Sequence, residues 1–123
     1  MPDTEPHTDP LRPALWFRVL LPGGALGPGK IALLRLIGET GSVSAAARRL
    51  GMSHARSVKL VAELNAIGAE PMVATRAGGE TGGGATLTAC GRRVLDAYDA
   101  LDDTVRAAAA PLVARLTDAA RGG

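Results

Sequence analysis

At 123 residues with a formal net charge of +2, the chain has room for one small core plus tails and not for two independent cores. One Trp, one Phe and one Tyr make that core aliphatic, and they exclude the class of single-stranded nucleic-acid binders that stack bases on aromatic platforms. A single cysteine, Cys90, excludes an internal disulfide and suits a reducing cytoplasm, while every apolar run falls well short of the roughly 20 residues a membrane helix needs.

Residues 1–13, MPDTEPHTDPLRP, are polar and proline-rich, which reads as a flexible arm and not as a signal peptide. The expectation is therefore a soluble cytoplasmic protein with no membrane partner. Residues 14–21, ALWFRVLL, read as a strand; Pro22-Gly23-Gly24 turns the chain, and Ala25-Leu26-Gly27 forms a short return strand. Pro28 opens a first helix, as proline does in a first helical turn. Its apolar face takes Ile31 and Leu34, with Leu33 and Ile37 as further candidates, and Gly41 ends it in the left-handed conformation.

Ser42 or Ser44 caps the next helix, whose Ala45-Ala46-Ala47 combines high propensity with side chains small enough for close packing. Leu50 anchors it, Gly51 turns, and Ser53 caps a third helix. Val58, Val61 and Leu64, with Leu60 as a further candidate, make the inner face; Arg56 and Lys59 fall outward. Two helices joined this way read as a helix-turn-helix over 42–67, whose second helix enters a DNA major groove. Gly68 ends the third helix. Pro71–Thr75 and Ala85–Leu87 then read as a hairpin around a glycine-dense loop, the position of a wing.

Thr88 caps a long last helix in which Val94, Tyr98, Leu101, Val105, Ala108 and Leu112 are spaced 4, 3, 4, 3, 4. That heptad spacing makes a narrow apolar seam. Pro111 would kink the helix or start a new one. The seam packs on the chain's own core or on a second copy; its length, about six turns at 3.6 residues each, favours a homodimer. The expected fold is mainly α with a small β-wing, a winged helix-turn-helix with a long C-terminal dimerisation helix. It divides into the arm 1–13, the domain 14–110, and a helix end and tail over 111–123.

Charge placement supports a polyanionic partner: residues 42–76 carry Arg48, Arg49, Arg56, Lys59 and Arg76 against Glu63 and Glu70. Ser53, His54, Arg56 and Ser57, at the start of the third helix, are placed for base edges, and Ser42, Ser44 and Lys59 for phosphates. The loop Gly78–Gly84 lacks the Lys-Ser or Lys-Thr of a nucleotide-binding P-loop, so it reads as a wing tip that approaches the DNA backbone. His7 and His54, with Cys90, offer no metal-ligand spacing. No nucleophile–base arrangement is present, so neither catalysis nor a cofactor is expected. Asp99, Asp102 and Asp103 read as a solvated face.

The segments KIALLRLIGETGSVSAAARRLGMSHARSVKLVAELN and PMVATRAGGETGGGATLTACGRRVLDAYDAL resemble the N-terminal winged-helix domain of the ModE regulators, a domain close to that of LysR-type regulators. The resemblance implies a transcription factor that dimerises through its first and last helices. It implies DNA contacts at Ser42, Ser44, Ser53, His54, Arg56, Ser57 and the wing from Arg76 to Gly84, including Gly79, Thr81 and Gly83. The dimer seam falls on Val94, Tyr98, Leu101, Val105 and Leu112. This sequence has His54-Ala55 where the family often has Tyr-Lys, Glu80 where the wing commonly has lysine, and Val58 in place of a tryptophan. Its target is expected to differ accordingly. The sequence reads as a stand-alone domain without molybdate-binding domains, so the resemblance carries no molybdate sensing to it, and any effector is unknown. The competing reading is an interaction module of the same fold that binds another protein.

Overall fold

The computed structural model describes residues 15–76 and 84–122. The expected arm over 1–13 and the wing residues Gly79, Glu80, Thr81 and Gly83 lie outside the described residues. The element order is β1 (Val19–Leu21), β2 (Gly24–Leu26), α1 (Pro28–Thr40), α2 (Val43–Leu50), α3 (His54–Ile67), β3 (Val73–Arg76), β4 (Gly84–Leu87) and α4 (Ala89–Ala120). The fold is mainly helical, a winged helix with a long C-terminal helix. Each pair of strands forms its own two-stranded antiparallel sheet: Val19 faces Leu26, and Val73 faces Leu87. The first strand is shorter than the expected 14–21, because only Val19–Leu21 find ladder partners.

Local chemistry sets the helix ends. Pro28 occupies the first turn of α1, where its missing N–H costs nothing. Gly41 (φ 72°) and Gly51 (φ 69°) end α1 and α2 in the left-handed region, which a side chain would strain. The hydroxyl oxygens of Ser42, Ser53 and Thr88 accept hydrogen bonds from the amides of Ala45, Arg56 and Gly91, and so cap α2, α3 and α4. Pro111 neither ends α4 nor starts a new helix; one helix runs from Ala89 to Ala120.

The core is aliphatic and centres on α1. Leu33, Leu34 and Ile37 are fully buried, and Ile31 nearly so. Each such side chain stabilises the fold by about 1.5–3 kcal/mol through the apolar surface it removes from water. Ala46 and Ala47 bring α2 close to this helix, and Leu60, Val61 and Leu64 close it from α3. Met72, Val73, Ala85 and Leu87 add the inner face of the wing.

Three expectations about faces are corrected. Val58 is half exposed and does not belong to the inner face of α3; Ser57 takes that place, fully buried. Positions 57, 60, 61 and 64 share one face at helical spacing, and the Ser57 hydroxyl donates to the His54 carbonyl (2.6 Å), so its burial leaves no polar group unpaired. Tyr98 is not free for a seam between copies. It is buried in the chain's own core, stacked on Phe17 with ring centroids 6.2 Å apart, and Val94 packs against the same core. Finally, Asp99 and Asp102 are not a merely solvated cluster. Asp99 receives two hydrogen bonds from Arg35 (2.7 and 3.1 Å), which ties α1 to α4, and Asp102 pairs with Arg106 (2.9 Å). The Arg106 guanidinium also donates to the Leu15 carbonyl and lies over the Phe17 ring.

The hydrogen bonds from Arg35 hold the Asp99 carboxyl below its ordinary value, and burial opposes them more weakly. A depressed carboxylate pKa adds stability above the unfolded-state value and loses it as pH falls through the folded-state value. Both partners are 42% exposed, so solvent screening limits the pair to at most about 1 kcal/mol. Asp99→Asn is therefore expected to lower the thermal midpoint slightly at neutral pH. The gap to the wild type should close on acidification below the carboxylate range; melting curves at a series of pH values check this.

Candidate nucleic-acid interface

The outer face of α3 is built by the same helical phase that fills its inner one. Ser53, His54, Ala55, Arg56, Val58 and Lys59 are all exposed. From Gly41 to Ala62 the chain carries Arg48, Arg49, Arg56 and Lys59 and no acidic residue. None of these four makes an ion pair among the described residues, whereas Lys30, Arg35, Arg93 and Arg106 do. The four cations of α2 and α3 are thus left unpaired among the described residues.

A groove of about 480 Å³ runs between α3, the start of α2 and the wing. Ser42, Val43 and Ser44 form one wall, His54, Val58, Ala62 and Asn65 the α3 side, and Thr75, Arg76, Gly84 and Ala85 the wing side. The N-termini of α2 and α3 both open on it. Their first amides have no partner inside the helix and carry the positive end of the helix dipole, which suits an anion. The Ser42 hydroxyl uses an acceptor position in capping and keeps its O–H to donate outward; so does Ser53. Hydroxyls and helix-terminal amides of this kind are chemically suited to phosphate oxygens.

The structure therefore brings Ser42, Ser44, His54 and Arg76 to one groove, with Ser53, Arg56 and Lys59 exposed on the adjoining surface of α3. Ser57 is the exception: buried, with its hydroxyl already donating to a backbone carbonyl, it reaches no base edge. Of the proposed seam, Leu101 and Leu112 are exposed and Val105 is half-buried, whereas Val94 and Tyr98 serve the chain's own core. Among the described residues no cluster of His, Cys, Asp and Glu could hold a metal ion, and no helix is long and apolar enough to cross a membrane.

Sequence reasoning missed Asn65. Its side-chain oxygen accepts from the amides of Met72 (2.9 Å) and Val73 (3.0 Å), and its amide nitrogen donates to the Val73 carbonyl (3.3 Å). One side chain on the last turn of α3 thus fixes where the wing begins. The β4 side is held by the backbone: the Ala85 amide donates to the Gly41 carbonyl at the α1–α2 corner (2.9 Å). An Asn in a helix followed by a strand is a weak signal, since asparagine is as often a surface residue.

With this geometry in view, the relatives are informative. The chain is 42% identical over 80 residues to the molybdenum-pterin-binding protein MopB of Rhodobacter capsulatus, covering 65% of this chain and 30% of that protein. It is 39% identical over 74 residues to the transcriptional regulator ModE of Yersinia pestis, covering 60% of this chain and 28% of that one. It is 35% identical over 100 residues to the molybdenum transport protein ModE of Azotobacter vinelandii, covering 81% of this chain and 37% of that protein. This chain is similar to ModE-type proteins over most of its length. No family model matches it. The matched region spans only 28–37% of the length of these curated relatives.

Removing the Asn65 clamp leaves two buried amides, those of Met72 and Val73, without an acceptor. Asn65→Ala is expected to destabilise the fold by about 2 kcal/mol, within the range for orphaned buried donors. Chemical denaturation measures the loss. Hydrogen exchange should localise it, with faster exchange at Met72 and Val73 than at Leu33 and Leu34 in the core.

Proposed function

We propose that this chain binds double-stranded DNA as a transcriptional regulator, with α3 in the major groove and the β3–β4 wing beside the backbone. The observation that carries the reading is the outer face of α3: free cations, no acid from Gly41 to Ala62, and two helix N-termini opening on one groove with the wing. The names of the relatives support it, since those from Yersinia pestis and Haemophilus influenzae are called transcriptional regulators and that from Escherichia coli a DNA-binding transcriptional dual regulator. In this reading Arg56 contacts a base, Ser42, Ser44 and Lys59 contact phosphates, and Ser53 and His54 flank the point of entry. Arg76 and the wing residues Gly79, Thr81 and Gly83 lie against the backbone.

The active form is a homodimer on an inverted repeat. α4 has 32 residues, about 48 Å at 1.5 Å per residue, and its own core covers only the first turns. Beyond Tyr98, Leu101, Leu112 and Leu116 stand exposed and Val105 half-buried along it. Two copies joined along this strip set two recognition helices one DNA turn or a multiple apart.

Arg56→Ala is expected to weaken binding to a selected duplex by about 1–3 kcal/mol if the side chain reads a base. Lys59→Ala should weaken all sequences alike and reduce the salt dependence of binding by about one charge. Fluorescence anisotropy over a range of salt concentrations distinguishes the two; an unchanged affinity removes Arg56 from the reading set. Leu112→Glu places a charge in the strip without touching the core, so it should sediment as a monomer and lose affinity for the full inverted repeat. A variant that still sediments as a dimer would move the interface elsewhere.

A further inference from the structure

Val58 has no task inside the protein. The inner face of α3 is already filled by Ser57, Leu60, Val61 and Leu64, and Val58 stands on the flank of that face at 50% exposure. It lines the groove between α3 and the wing, with His54 one turn before it and Ala62 one turn after it on the same ridge. Across the groove are Val43, Ser44, Arg76, Gly84 and Ala85. Arg56 and Lys59 are its exposed neighbours in sequence. The result is a half-exposed branched apolar group, one turn into the helix, in a groove that Val43, Val61, Ala62 and Ala85 also line beside its polar and positive groups.

Two properties of valine matter here. A β-branched side chain in a helix holds a single χ1 rotamer almost all the time, so its two methyl groups stand in fixed positions. They also offer neither donor nor acceptor. The major-groove edge of DNA presents hydrogen-bonding groups at every base pair, and one apolar group only, the C5 methyl of thymine. A recognition helix reaches base edges through its N-terminal turns, where Val58 lies.

We propose that Val58 is a specificity-determining residue that packs against a thymine C5 methyl in the major groove. The inference rests on the DNA-binding reading above. It assigns this position a base preference that no hydrogen bond supplies, alongside the polar contacts of its neighbours.

The test uses duplexes selected from random sequence by the full chain. Each dT is replaced in turn by deoxyuridine, which lacks only the C5 methyl. The wild-type protein should lose about fourfold in affinity at one thymine per recognition helix, the weight of one buried methyl group. Val58→Ala should bind the parent duplex more weakly and be indifferent to that same replacement. Val58→Thr, which keeps one of the two methyl groups and exchanges the other for a hydroxyl, should retain only part of that penalty. All three proteins should melt alike, because the side chain lies outside the core. A footprint in which no deoxyuridine replacement affects the wild type overturns the role of Val58 and leaves DNA binding standing. The same holds if wild type and variants suffer equal penalties. No footprint on any duplex overturns the DNA-binding reading itself, and this inference with it.

Discussion

The structure depends on one helix being buried on more than one side. With almost no aromatic residues to fill space, α1 supplies the fully buried Leu33, Leu34 and Ile37, and α2, α3, α4 and β4 all pack around it. Such a helix cannot carry a single narrow stripe; its apolar positions must spread around the axis, as Ile31, Leu33, Leu34 and Ile37 do. Small residues complete the arrangement. Ala46 and Ala47 let α2 approach closely enough for α3 to reach the same core, and the outer face of α3 is what remains.

Electrostatics follow the same partition. Three cations of α1 and α4 pair inside the molecule: Lys30 with Glu63, Arg35 with Asp99 and Arg106 with Asp102. Those on α2 and α3 are left unpaired among the described residues. The modest net charge of +2 therefore conceals a local asymmetry, because residues 41–62 hold four cations and no acid. Burial also pushes the Tyr98 phenol above its ordinary value, with a contribution from nearby Asp102; it behaves as a core residue with a polar tip.

What could be read from the sequence was what is decided locally. The capping serines, the left-handed glycines and the proline of α1 act within four residues of themselves, so their positions were legible and the helix boundaries followed. The errors came where distant residues or fine phase decide. Val58 is the more hydrophobic residue, yet Ser57 is inside, because a serine that satisfies its hydroxyl on its own helix can be buried at small cost. Tyr98 fitted a heptad, but Phe17, some eighty positions earlier in sequence, covers it. Asp99 looked like surface until Arg35 reached it across the fold. The cationic face of the candidate site was visible in the sequence; the Asn65 clamp that fixes the wing against it was not.

The bond from the Ala85 amide to the Gly41 carbonyl joins the second wing strand to the corner between α1 and α2, at the residue just before the capping Ser42. With Asn65 gripping the first wing strand, both described wing strands are tied directly to the helices beside the groove. The effects of substitutions in the wing and at the start of α2 will consequently fail to add.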